Sequence, residues 1–254
     1  MTDQKRILVV EDEPDLCEML FFEFQMKGFP VYQAKNGIDA LEKIEVYKPD
    51  VVVTDIRMEE MNGLELLERL KKENVFSPVV ILVSAFSDIN PAEGYRRGAE
   101  AVFTKPFSLH ALVESVYRLT SPLEERWKNR PADVPWYRVT IAAADLEEGR
   151  RTRIIDLGRG GMCFQSTEFH LAHGDHVAVC ADWESSELSR LEAIGLIRWR
   201  ARFEGDGDAQ GYFYGVEFEY ISEETLAPFL AWLQTVQPVP YIPAFEVLEG
   251  FPEI

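Results

Sequence analysis

The sequence contains few cysteines and no long apolar run, and each of these shortages excludes a class of protein. The three cysteines, Cys17, Cys163 and Cys180, are odd in number and lack metal-ligand spacing, which indicates buried thiols in a reducing compartment. No run reaches the roughly 18 apolar residues of a membrane span, and the N-terminus lacks the apolar core of a signal peptide. The sequence therefore predicts a cytoplasmic protein without a membrane span.

Positive charge is also scarce, since the formal net charge is -18. Residues 1–121 hold 14 Lys and Arg against 21 Asp and Glu, and residues 122–254 hold 12 against 23. Nucleic acids are bound by clustered Lys and Arg, and no two consecutive helical periods in the second half indicate a helix-turn-helix. The charge therefore predicts that DNA is not a partner.

The length of 254 residues suits two domains, each with its own core.

The first half alternates apolar strands with segments of helical spacing. Short apolar runs precede such segments in RILVV, VVVTD, VVILVS and AVFT. Repeated βα units with almost entirely apolar strands form parallel sheets that are covered on both faces. The pattern predicts a doubly wound α/β domain with a five-stranded parallel sheet, in which ligands gather at the carboxyl ends of the strands.

Polar residues follow these predicted strands. Glu11 and Asp12 end the first strand, Asp55 the third, Ser84 the fourth and Lys105 the fifth. Converging carboxylates repel each other unless a cation joins them, and Mg²⁺ prefers such oxygen ligands. A lysine and a hydroxyl can bind a phosphoryl group, and an aspartate can be its acceptor. Each residue alone could be a helix cap or a solvent-facing side chain, but together they predict phosphoryl chemistry centred on Asp55.

The motifs of the first half also carry a family resemblance. This half resembles the receiver domain of two-component response regulators over roughly residues 5 to 120, on the motifs VVEDEP, VVTDIRM, NGLELL, LVSA and FTKPF. The resemblance implies that Asp55 accepts a phosphoryl group from a sensor histidine kinase or a phosphotransfer protein. It also implies that Asp12, Asp55 and the backbone carbonyl of Arg57 bind Mg²⁺, with Glu11 assisting through water.

The same resemblance assigns roles after the last two strands. It implies that Ser84 and Lys105 contact the phosphoryl group and that a cis peptide bond precedes Pro106. Two residues depart from the family pattern: Glu59 stands where proline is frequent, and Val102 stands where an aromatic side chain usually turns inward on activation. The second departure predicts a muted conformational switch.

The second half has a different pattern. The stretch RLTSPLEERWKNRPADVPWY has no sustained apolar period, and from Val139 onwards short apolar runs alternate with polar or glycine clusters. These runs predict a small antiparallel β-barrel, and SEETLAPFLAWLQTV predicts a helix that begins at Ser222. The predicted organisation is a receiver domain over 1–121, a linker over 122–137, a barrel and helix over 138–237, and an apolar, proline-rich tail over 238–254. The tail is expected to pack against the barrel or a partner.

The glycine-rich stretch DLGRGG, Asp156 to Gly161, suits an anion-binding loop or an ordinary tight turn. Its glycines lack the spacing of a dinucleotide fingerprint. Together with the R-x-x-x-R spacing in the linker, the loop resembles the PilZ domain, which binds cyclic di-GMP, over roughly residues 123 to 236. Gly158 stands where that family has serine. The resemblance implies a cyclic di-GMP pocket made by Arg126, Arg130, Asp156, Gly158 and Gly161. Arg159 is a further candidate, because the two phosphates need cationic partners.

The sequence therefore predicts a response regulator of a two-component phosphorelay. Asp55 accepts a phosphoryl group with Mg²⁺ and controls a PilZ-like output domain that binds cyclic di-GMP and a downstream protein. The alternative is a phosphorylation-controlled adaptor whose PilZ-like domain has lost the nucleotide and binds protein. No turnover of an external substrate is expected, because a haloacid-type phosphatase needs a second aspartate where this chain has Arg57.

Overall fold

The computed structural model describes residues 4–85, 90–131, 137–168, 170–184, 188–204, 210–236 and 240–245. The chain forms two compact units, Met1–Ser121 and Pro122–Ile254, and each is described by itself. Within the described ranges, no helix is long and apolar enough to cross a membrane.

The first unit is a parallel sheet of five strands in the order β2-β1-β3-β4-β5, as predicted. The strand order reverses between β1 and β3, and such a switch point opens a crevice at the carboxyl ends of the strands. The elements are β1 (Ile7–Val10), α1 (Pro14–Met26), β2 (Val31–Ala34), α2 (Gly37–Tyr47), β3 (Val51–Asp55), α3 (Gly63–Glu73), β4 (Val79–Ser84), α4 (Pro91–Arg96), β5 (Ala101–Thr104) and α5 (Leu109–Thr120).

Local sequence explains where these elements begin and end. The central strands β1, β3 and β4 are buried along their whole length, which is why they read as continuous apolar runs. Side-chain caps start the helices that follow: Asn36 accepts from the amide of Asp39 in α2, and Asn62 forms a capping box with Glu65 in α3. These two caps fix the beginnings of α2 and α3 after β2 and β3.

The second unit is a six-stranded sheet in the order β6-β9-β10-β11-β8-β7. Its strands β6 and β9 pair in parallel and its other neighbours pair antiparallel. The elements are α6 (Leu123–Arg126), β6 (Tyr137–Ala143), α7 (Leu146–Arg151), β7 (Ile155–Leu157), β8 (Gly161–Ser166), β9 (His176–Trp183), β10 (Arg190–Glu204), β11 (Gln210–Ile221) and α8 (Glu223–Thr235).

This arrangement corrects the predicted antiparallel barrel. Among the described residues, β6 and β7 are edge strands that do not pair with each other, so the observed sheet is mixed and open. The parallel pair arises because the chain makes the β7–β8 hairpin at one edge before β9 returns beside β6 at the other. Spacing of apolar runs predicts strands but does not fix which strands become neighbours.

The core of the second unit includes part of the predicted linker. Trp127 is fully buried, its ring lies edge-on to Phe229 of α8 at 5.5 Å between centroids, and its carbonyl accepts from the amide of Ile221 at 3.0 Å. On α8, Phe229 is fully buried and Leu226 and Leu233 are also buried, as the helical spacing predicted. Trp127, which falls in the predicted linker, is therefore part of the core of the second unit.

Candidate functional site

The crevice of the first unit brings several predicted residues to the same edge of the sheet. Glu11, Asp55 and Ser84 follow or end β1, β3 and β4, and they are 4%, 5% and 1% exposed. Lys105 follows β5, and its amide donates to the carbonyl of Ser84 at 2.7 Å. Asp12 is exposed beside Glu11. Buried carboxyl groups at a switch point are unusual in a merely structural role, because unpaired buried charge is costly.

The backbone around Asp55 holds its carboxyl group in place. The amide of Arg57 donates to Asp55 Oδ2 at 2.6 Å, and Thr54 Oγ1 donates to the Asp55 carbonyl at 2.9 Å. Gly63, the first residue of α3, packs directly against that carbonyl: a Cβ at this position would lie 2.0 Å from the Asp55 oxygen. Only glycine allows α3 to approach so closely. The sequence pattern assigns no role to Thr54 or Gly63, although the Asn-Gly pair after the third strand is a signal for a tight approach.

The ammonium group of Lys105 lies between the two buried carboxyl groups. Its Nζ is 2.5 Å from Asp55 Oδ1 and 3.3 Å from Glu11 Oε2. The peptide bond between Lys105 and Pro106 is cis, as the family resemblance implied. The structure thus joins Glu11, Asp55 and Lys105 by direct contacts. Ser84 lies at the same edge, one residue beyond Val83, the β4 partner of Asp55.

The electrostatics of this cluster are dominated by burial. Burial raises the pKa of Glu11 to about 7, and the nearby Asp55 carboxylate adds to the rise, while Lys105 and the Glu13 amide oppose it. Burial also raises the pKa of Asp55 despite the opposing effects of Lys105 and the Arg57 amide. The pKa of Lys105 is raised because the two carboxylates outweigh the effect of its burial. The cluster therefore has an excess of negative charge that one lysine does not fully neutralise.

These residues fit a magnesium ion, although they do not form a ready-made cage. No group of three His, Cys, Asp or Glu side chains in the described part of the chain is arranged to hold a metal. Mg²⁺ does not need such a cage, because it keeps several waters and is usually bound by one or two carboxylates. Burial and the Asp55 carboxylate raise the pKa of Glu11, and a bound cation would favour its ionised form. Asp55 and Glu11, with the exposed Asp12 beside them, supply the hard oxygen atoms that the ion prefers.

The loop DLGRGG lies in the second unit and its residues have other partners. Asp156 accepts from Arg150 Nε at 2.8 Å and from the amide of Leu157 at 2.9 Å. The amide of Arg159 donates to the carbonyl of Pro240 at 2.9 Å. The side of the loop that could face a nucleotide is thus covered by residues 240–245 of the same chain.

The two arginines of the predicted nucleotide pocket lie beside other residues. Arg126 lies over the ring of Trp127, with its CZ atom 5.7 Å from the centroid, and Arg130 lies over Tyr220 at 5.9 Å. Arg130 also lines a groove of about 560 Å³ together with Arg138, and among the described residues no part of DLGRGG lines this groove. This groove therefore contains Arg130 of the predicted cyclic di-GMP pocket without the residues of the loop.

Comparison with known proteins assigns the family. The family model named response regulator receiver domain matches residues 7–117 of this chain. The transcriptional regulatory protein PrrA of Mycobacterium leprae is 30% identical over 217 residues, which cover 83% of this chain and 84% of that protein. The chain belongs to the response regulator family. The transcriptional regulatory protein TrcR of Mycobacterium tuberculosis is 32% identical over 65% of this chain, and the match spans 62% of the length of TrcR.

A solved structure is similar over the first unit. The receiver domain of the Francisella response regulator 1452 is 32% identical, with a TM-score of 0.43, and the match covers 46% of this chain and 96% of that domain.

The names of the relatives correct one prediction. The chain matches proteins named as transcriptional regulators, so the exclusion of DNA as a partner, which rested on net charge and on the lack of a helix-turn-helix pattern, is wrong. Net charge averages over the whole surface and says little about one local patch.

Proposed function

We propose that this response regulator accepts a phosphoryl group on Asp55, with Mg²⁺ bound by Asp55 and Asp12 and the backbone carbonyl of Arg57, and with Glu11 assisting. The observation that carries the proposal is the contact of Lys105 Nζ with Asp55 at 2.5 Å in a buried crevice. A lysine in this place can bind an oxygen of a phosphoryl group on Asp55. The Ser84 hydroxyl, at the end of the neighbouring strand, provides a second group for the same purpose.

Each group has a definite task in this mechanism. Mg²⁺, when bound, neutralises the charge that the phosphoryl group brings to the carboxylates. The Arg57 amide holds one oxygen of Asp55, which leaves Oδ1, the atom facing Lys105, to attack phosphorus. Asp55 forms the new bond to phosphorus while the donor's bond to phosphorus breaks, and the leaving group departs with that electron pair. Burial of the crevice limits the access of water to the product.

Phosphorylation with a small phosphodonor tests this proposal. Wild-type chain incubated with acetyl phosphate and Mg²⁺ is expected to gain one phosphoryl group, detected by intact mass. Asp55→Asn is expected to gain none, whereas the exposed neighbour variant Glu13→Gln should react like the wild type. Equal incorporation into Asp55→Asn and wild type would reject Asp55 as the acceptor.

The output of the regulator is assigned to the second unit, and the names of the relatives favour control of transcription. Selection of genomic DNA fragments by the phosphorylated chain tests this output. We expect enrichment of defined sequences that is lost with Asp55→Asn. Binding that is equal for all sequences and disappears with moderate salt would contradict it.

A second candidate output is a protein-binding adaptor. It is favoured by the DLGRGG loop, because the amides of Arg159 and Gly160 donate to carbonyls of a peptide segment of the same chain. Calorimetry with cyclic di-GMP separates this candidate from the nucleotide-binding output that the PilZ resemblance implies. Heat that is lost in Arg130→Ala would support the nucleotide, and the absence of any heat would favour the adaptor.

A further inference from the structure

The segment Pro240–Phe245 crosses the loop between β7 and β8 in the second unit. The carbonyl of Pro240 accepts from the amide of Arg159 at 2.9 Å, and the carbonyl of Tyr241 accepts from the amide of Gly160 at 3.0 Å. Successive backbone amides of a glycine-rich turn form the kind of concave donor site that binds anions. Here two peptide carbonyls take the positions that an anion's oxygens would occupy.

Two glycines of the loop make room for this segment. A Cβ at Gly160 would lie 1.9 Å from the ring of Tyr241, and a Cβ at Gly158 would lie 2.6 Å from the carbonyl oxygen of Pro240. A Cβ at Gly161 would lie 2.1 Å from the backbone oxygen of Val216 in β11 and 2.9 Å from the side chain of Ile242. Gly158 and Gly160 are therefore needed for the close approach of the segment, and Gly161 is needed both for the sheet and for the segment.

Side chains of the segment cover the outer face of the sheet next to the loop. Tyr241 and Ile242 are fully buried, and the Tyr241 hydroxyl donates to Glu217 Oε1 at 3.2 Å. Glu217 is itself paired with Arg198 at 2.6 Å. The ring of Phe245 lies 5.2 Å from that of Phe213 between centroids.

The segment covers Cys163 as well. The backbone amide of Phe245 donates to the thiol of Cys163, which is fully buried on β8. Exposure of this sulfur to solvent therefore reports whether the segment is in place. Cys180, half-buried on β9, provides an internal reference in the same unit.

The segment is attached to the sheet without being one of its strands. Pro240 and Pro243 have no amide hydrogen, and the described residues of the segment add no strand to the six of the sheet. Beneath the segment, β8 pairs with both of its neighbours, β11 and β7. Departure of the segment would therefore uncover the loop and the outer face of β8 and β11 while leaving the strand pairing intact.

We propose that the DLGRGG loop and the adjoining outer face of β8 and β11 form a peptide-binding surface, occupied in cis by Pro240–Phe245 as a reversible cap. In the capped state the amides of Arg159 and Gly160 are closed to other acceptors. Release of the cap opens those amides, the Arg198–Glu217 pair and an aromatic face together. The kind of partner that fits the opened surface is an extended peptide with a Tyr-Ile-Pro sequence, of which the cap is the built-in example.

Alkylation of Cys163 by iodoacetamide, followed residue by residue by mass spectrometry, tests the cap in the full chain. Gly160→Ala places a methyl group in the ring of Tyr241, so Cys163 is expected to react at least about tenfold faster than in wild type, while Cys180 keeps its rate. Truncation after residue 239 removes the segment itself, so faster alkylation of Cys163 is expected there as well. Gly149→Ala is the matched control, because its methyl group would meet Ile155 and not the cap.

Two results would overturn the proposal. The first is protection of Cys163 in both Gly160→Ala and the truncated chain, which would mean that the segment does not control this surface. The second concerns how the labelling rate of Cys163 in the wild type depends on urea. If this rate rises as steeply with urea concentration as the unfolding of the whole second unit, measured by tryptophan fluorescence, the proposal fails. That result would make the segment a permanent part of the core, because it would leave only with the whole unit. A weaker urea dependence, from local opening, supports the reversible cap.

Discussion

The raised pKa of Glu11 predicts how the stability of the metal-free first unit depends on pH. In the folded chain this carboxyl group keeps its proton up to about pH 7, whereas its ordinary pKa is 4.5. The folded state therefore binds the proton more tightly than the unfolded state, and stability falls as the pH rises between these values. A pKa of about 7 in place of 4.5 corresponds to about 3 kcal/mol of stability lost above neutral pH.

Glu11→Gln removes this loss, because an amide cannot ionise. The variant is expected to match the wild type below about pH 4.5, where the carboxyl group is neutral in both states, and to exceed it by about 3 kcal/mol at pH 8. For a unit of this size that difference raises the melting temperature by about 10 °C. Added Mg²⁺ should reduce the difference at high pH, because the ion binds the ionised form of Glu11 and so stabilises the wild type more than the variant.

Urea unfolding followed by circular dichroism at several pH values provides the measurement. All five tryptophans follow residue 121, so tryptophan fluorescence reports the second unit separately and should not change. Glu13→Gln is the control, since Glu13 is exposed and its carboxyl group is outside the cluster. A stability difference between Glu11→Gln and wild type that is the same at every pH would refute the reasoning, because it would arise from lost contacts and not from ionisation.

Three further substitutions have expected outcomes. Lys105→Met removes the cation between Asp55 and Glu11 and should destabilise the metal-free first unit by about 2 kcal/mol at pH 8 and by less at pH 5, measured by urea unfolding. Gly63→Ala should cost about 3 kcal/mol and slow phosphorylation by acetyl phosphate, because its methyl group would collide with the Asp55 carbonyl; an unchanged rate would contradict this role. Trp127→Ala should destabilise the second unit by about 4 kcal/mol in fluorescence-monitored unfolding, whereas a linker residue would change little.

The sequence predicted the first unit well because its signals are local. An apolar strand followed by a polar residue and then a helical period describes each βα unit, and parallel strands must end at the same edge. Ends of parallel strands at one edge bring Lys105 near Asp55 and Glu11, and the long lysine side chain makes the contacts across β4. What local signals did not reveal is the support beneath the site, such as Gly63 against the Asp55 carbonyl, since close packing between elements depends on the assembled fold.

The second unit was harder to predict because its neighbours are distant in sequence. Strand β6 pairs with β9 across the whole of the intervening hairpin, and no short-range pattern encodes that parallel pair. Trp127 illustrates the same limit: it lies in a stretch without apolar period, yet it is fully buried against α8. A lone tryptophan between charged residues gives no periodicity from which burial could be inferred.

The DLGRGG loop shows why a glycine pattern alone cannot name its ligand. Glycine removes the side chain and leaves a row of backbone amides, and those amides donate to a phosphate oxygen or to a peptide carbonyl equally well. Gly158 stands where the PilZ family has serine. In the structure that position is where the backbone of Pro240 passes, and any Cβ there would meet its carbonyl oxygen at 2.6 Å. The signal that distinguishes a peptide from a nucleotide lies in the tail, which is rich in proline and apolar residues. Such a composition suits an extended segment whose carbonyls accept hydrogen bonds from the loop, and its prolines have no amide hydrogen to leave unpaired.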